Sequence, residues 1–109
     1  MAFDARAAER IRDLFATRRD VAEKQTFGGL AFMVRGHMCC GVVGDTLMAR
    51  VGPEHYDAAL RRPYAREMDF TGRPMKGFVY IDPPGFEEDD ALSTWVEMCL
   101  DFVTSLAPK

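Results

Sequence analysis

No apolar run in this chain approaches the ~20 residues a helix needs to cross a bilayer, so a membrane-spanning protein is not expected. Histidine is scarce, with His37 and His55 alone, and there is no CxxC or HxxxH pair from which to build a zinc site. Three cysteines are too few, and Cys39 and Cys40 too close in sequence, for a disulfide scaffold. Basic residues are missing from a whole segment. Gly77 to Pro108 holds seven acids and no Lys or Arg, which disfavours a phosphate backbone as partner there. The opening Met1-Ala2-Phe3-Asp4 runs into charged sequence without an apolar signal core, so the expected location is cytoplasmic.

What is present fits one domain over residues 1–109. The chain is 48% apolar and 28% charged, a globular balance rather than a disordered one. Before Gly77, 13 basic residues face 10 acidic ones, so the net charge of −3 hides a basic portion followed by an acidic one.

Asp4 to Arg19 predicts a helix, capped by Asp4 and striped by Ala8, Ile11, Leu14 and Phe15. Gln25 to Val34 loses helical spacing and predicts a strand broken by Gly28-Gly29. Arg35-Gly36 and Gly44-Asp45 are hairpin turns, which makes Met38–Val43 and Thr46–Val51 the next two strands of an antiparallel meander. Gly52-Pro53 opens a short helix that Pro63 closes. Glu67–Phe70 and Gly77–Ile81 predict two more strands, separated by a Thr71-to-Gly77 loop. The last helix begins at Asp89 or Asp90. Its Leu92, Trp95, Val96, Cys99, Phe102, Val103 and Leu106 recur at i, i+3, i+4, i+7, i+10, i+11 and i+14. The expected architecture is α+β and two-layer: a single antiparallel sheet with helices on one face, in the order α-β-β-β-α-β-β-α.

Catalysis needs a nucleophile beside a base, or paired carboxylates in a cleft. His37 and Cys39, two apart on a strand, are the best approach to that, and two groups make neither a zinc site nor a complete dyad. His55 reads as a solvated residue of the short helix. The acidic run Glu87-Glu88-Asp89-Asp90 has a structural reason at a helix N-terminus, where the dipole favours negative charge. The binding candidates are basic. Arg73 and Lys76, with Arg35 and Arg50, could hold an anion or a partner. Gly28, Gly29, Gly72 and Gly77 are positions where backbone could come close to another group. No cofactor is expected.

Three blocks carry a resemblance: Phe27-Gly28-Gly29-Leu30-Ala31-Phe32-Met33-Val34, then Gly36-His37-Met38-Cys39-Cys40-Gly41-Val42, then Met68 through Tyr80. Together they resemble the N-terminal domain of the TfoX/Sxy family, over nearly the whole chain. That likeness implies an α+β domain similar to secretion-chaperone-like folds, and it supplies no catalytic residue. The family's named members regulate bacterial competence genes and carry a second, helical domain, for which residues 1–109 leave no room. The expected function is therefore a non-enzymatic interaction or regulatory domain with a protein partner or a second copy of itself. The alternative is a small anionic-ligand module using the Thr71–Gly77 loop. Direct DNA binding is not expected without the second domain.

Overall fold

Asp4 caps the first helix with its own carboxylate, which accepts the backbone N–H of Arg6 at 2.9 Å and of Ala7 at 3.4 Å. The computed structural model describes residues 3–26, 28–70 and 73–107, with the backbone alone for 26, 69, 70 and 73–75. Helix α1 spans Ala5–Leu14. Four strands follow: β1 Val21–Thr26, β2 Gly29–Val34, β3 His37–Val43 and β4 Thr46–Arg50. After the short helix α2, Tyr56–Leu60, come β5 Ala65–Phe70 and β6 Arg73–Ile81, and then α3, Asp89–Val103. No helix among the described residues is long and apolar enough to cross a membrane.

The strands form one antiparallel sheet in the order β1-β2-β3-β4-β6-β5. Class, layering and helix order are those the sequence predicts, with one edge strand added at the start of the sheet. The expected strand Gln25–Val34 holds β2 and only the last two residues of β1; β1 itself starts at Val21, and the chain folds back at Gly28, whose φ of +70° suits glycine. The Arg35-Gly36 turn joins β2 to β3 with both residues at positive φ, +54° and +85°, the signature of a type I′ hairpin. One expectation needs correction. Residues 73–77 are not loop: β6 begins at Arg73, and the Pro74 and Gly77 that suggested a break lie within it.

All three helices lie on one face. Leu30, Phe32, Val34, Cys40, Val42, Leu47, Ala49, Val79 and Ile81 alternate toward that side and are buried. Against them pack Ile11 and Phe15 of α1, Tyr56 and Ala59 of α2, and Leu92, Trp95, Val96, Cys99 and Val103 of α3. The Phe15 and Phe32 rings sit 5.7 Å apart, tilted, and the Trp95 indole N–H donates to the Gly85 carbonyl. Arg12 of α1 grips Glu23 of β1 with two bonds, at 2.6 and 2.7 Å, at the rim of this layer.

Candidate functional site

The face of the sheet away from the helices is built by the other residues of each alternation. The register sets Lys24 beside Ala31, Ala31 beside Gly41, Gly41 beside Met48, Met48 beside Tyr80 and Tyr80 beside Arg66. A second row pairs Met33 with Met38, and Arg50 with Phe78. Gly41 matters here for its lack of a side chain. A Cβ there would stand 3.1 Å from the Met48 methyl and 2.5 Å from the Leu30 carbonyl, so glycine lets Met48 lie down across β3. Met33, Met38, Phe78 and Tyr80 stay half-buried and outside the helix-side core. Two rings carry guanidinium groups: Arg66 lies 5.0 Å over Tyr80, and Arg50 lies 5.5 Å over Phe78.

At one corner this face runs into a recess of about 100 Å³ lined by Arg50, Gly52, Pro53, Lys76, Gly77, Phe78 and Phe102. The Arg50 guanidinium is held between two rings, 5.3 Å from Phe102 as well as near Phe78, and it donates to the Met38 carbonyl at 3.3 Å. Gly77, at φ +97°, turns its carbonyl so that it accepts the N–H groups of both Val51 and Gly52. A Cβ on Gly52 would strike the Phe102 ring. These glycines serve close packing within the corner itself.

The sequence-level candidates thus separate. Arg50 and Lys76 come together with Gly77. Arg35 goes elsewhere, to the β2–β3 turn, where it bonds Asp20 at 3.3 Å. Arg18 grips the same carboxylate, and its hydrogen bond, ahead of that from Arg35, holds Asp20 below the usual carboxylate range. The Arg73 side chain, Thr71 and Gly72 lie outside the described residues. Gly28 sits in the β1–β2 turn with open space around it, while a Cβ on Gly29 would meet the Val42 carbonyl of the neighbouring strand.

His37 and Cys39 do lie two apart on β3, with different neighbours. His37 Nε2 is 2.6 Å from the Ala107 carbonyl, tying the chain's end to the sheet. Cys39 occupies a β-bulge: Phe32 pairs with Cys40 and Met33 with Met38, leaving Cys39 as the extra residue. The bulge breaks the alternation, so both adjacent cysteines reach the helix side and meet Cys99 of α3, all three buried. Hydrogen bonds from Cys40 and then Cys99 draw the Cys39 thiol well down from its usual value. The bond to Cys39, then burial, pushes Cys40 up, whereas burial comes first for Cys99. Sequence reading missed this convergence, because it depends on a register shift and on a partner sixty residues away in the chain.

His55 is exposed, beside a separate shallow pocket with Glu54, Asp101 and Phe102. The acidic run at the start of α3 is engaged by Arg10, whose Nη2 donates to the Phe86 and Glu87 carbonyls and to the Asp89 carboxylate.

A helix-backed antiparallel sheet with one open apolar face and a basic corner defines a small two-layer α+β domain. The model of the TfoX N-terminal domain matches residues 13–103, and the chain belongs to that family. No curated protein and no solved structure matches it.

Proposed function

We propose that this chain is a non-catalytic interaction domain that meets a protein partner through the open face of its sheet. The observation that carries this reading is the row of half-buried Met33, Met38, Phe78 and Tyr80, over which no helix packs among the described residues. Methionine adapts to irregular apolar surfaces, and such surfaces mark contact sites. The regulatory and competence-linked role of the TfoX family, acting in the cytoplasm, is the setting this reading adopts.

Site-specific photocrosslinking tests it. A photoreactive residue replacing Met38 should yield a discrete adduct with another protein in cells, while the same residue replacing Glu97, on the exposed side of α3, should not. Adducts from neither position, or the same adducts from both, would remove the reading. An adduct of twice the chain's own mass would make the partner a second copy.

A second reading rests on Arg50 and Lys76 sharing one recess large enough for a phosphate or carboxylate group. Arg supplies directional donors and Lys a point charge. Inorganic phosphate or pyrophosphate should then raise the melting temperature of the wild type and not of Lys76→Gln. Equal shifts in both, or none, would remove this reading.

A further inference from the structure

The charge on the open face has one sign. Among the described residues whose register places them there, the ionisable groups are Lys24 on β1, Arg50 on β4 and Arg66 on β5, with no Asp or Glu. The carboxylates described on the sheet fall on the other side or past its strands, Glu67 of β5 lying opposite helix-side Val79. Glu23 shares the helix-side face with Phe32 and is held by Arg12. Asp82 lies just past β6, where it pairs with Arg66 at 3.1 Å, both groups about half exposed. No described carboxylate lies within ion-pair distance of Lys24 or Arg50. Lys76 adds a fourth cation at the corner recess.

The dimensions are as informative as the sign. Six strands at about 4.8 Å spacing put β1 and β5 roughly 24 Å apart, the length of a helix of about 16 residues. On the opposite face α3, a helix of 15 residues with a continuous apolar stripe, packs over β3 and β4. The open face has its apolar row at the centre and cations at both margins and one corner.

We infer that the open face receives an acidic amphipathic helix of a protein partner, lying across the strands on Met33, Met38, Phe78 and Tyr80. This rests on the interaction reading above and adds the chemistry of the partner. Carboxylates at the two ends of that helix meet Lys24 and Arg66, and one near its middle enters the Arg50–Lys76 recess. A second copy docked face to face would set like charges opposite one another, which is costly at an interface. A single-stranded nucleic acid wants bare rings for stacking, whereas Phe78 and Tyr80 already carry arginines on their faces.

The test uses the full chain and three labelled probes followed by fluorescence anisotropy. One is a synthetic 16-residue peptide with leucines at helical spacing flanked by glutamates, another its twin with lysines for glutamates, and the third a single-stranded oligonucleotide. The acidic peptide should bind at least tenfold tighter than either of the others. Lys24→Glu combined with Arg66→Gln should weaken it at least tenfold; Lys24 is exposed, and the Arg66–Asp82 pair it breaks is a surface one of small weight, so the variant should melt close to the wild type. Equal binding of the two peptides, no binding of either, or tighter binding of the oligonucleotide would overturn the inference. A partner crosslinked from position 38 that the acidic peptide fails to displace would overturn the partner chemistry and leave the interaction reading standing. Absence of both adduct and peptide binding would remove the two together.

Discussion

The two faces of the sheet are made by the same strands, often by neighbouring residues, and they solve opposite problems. On the helix side, Phe32, Leu47, Ala49, Val79 and Ile81 are fully shielded, and the charges at the margin are paired, as Arg12 is with Glu23. On the open side the half-buried Met33, Met38, Arg50, Phe78 and Tyr80 make a softer surface of thioethers, rings and guanidinium groups. One face is specified by branched and aromatic side chains that fit in few ways. The other is built from side chains that rearrange at little cost. The contrast teaches that a tightly packed core and an adaptable outer surface can be divided between the two sides of single strands, residue by residue.

The largest expected effect breaks the covered side. Phe32→Ala removes a ring with no exposed surface and should cost about 3–5 kcal/mol in urea denaturation. Gly41→Ala comes next, at about 1–3 kcal/mol, because its new methyl has a strand carbonyl 2.5 Å away and the Met48 methyl at 3.1 Å. A neutral result there would mean that Met48 does not lie across β3. Met38→Ser on the open side should cost less than about 1 kcal/mol, near what surface substitutions show. If it matched Phe32→Ala, the face would not be open and the comparison would fail.

The smallest effect concerns the Arg12–Glu23 pair at the margin. The hydrogen bonds that Arg12 donates to Glu23 hold the carboxylate below its usual range and the guanidinium above its own. Because the folded-state value of Glu23 is lowered, its contribution is present above the unfolded carboxylate value and fades as pH falls through the folded one. Arg12 stays charged throughout. For so exposed a pair the contribution to stability is below about 1 kcal/mol. Glu23→Gln should flatten that part of an acid-denaturation curve by a correspondingly small amount; a curve of unchanged slope would mean that the pair contributes nothing.

The sequence makes the helices and the tight turns legible, because both are local. The stripe from Leu92 to Val103 becomes the buried side of α3, and Arg35-Gly36 becomes a hairpin turn. Strand β1 is harder to see. Its Glu23-Lys24-Gln25 centre lacks the apolar alternation of a half-buried strand, since an edge strand carries charge to discourage further pairing. The start of β6 is hidden by Pro74 and Gly77, residues that usually end strands. The corner is half legible. Arg50 and Lys76 stand out as cations, but their meeting depends on β4 pairing with β6, two strands separated in the chain by a helix and another strand. The cysteine cluster is invisible to any reading by alternation, because a single extra residue shifts the period between Met38 and Cys40.

That extra residue gives the molecule a built-in clock. Three thiols stand behind α3 with no surface open to solvent, so a thiol reagent can reach them when the helix lifts or the sheet parts there. The rate at which they react reports how often that layer opens. Because two of the three are neighbours on the bulge and the third rides on the helix, the order in which they react separates a helix that swings away from a strand that frays.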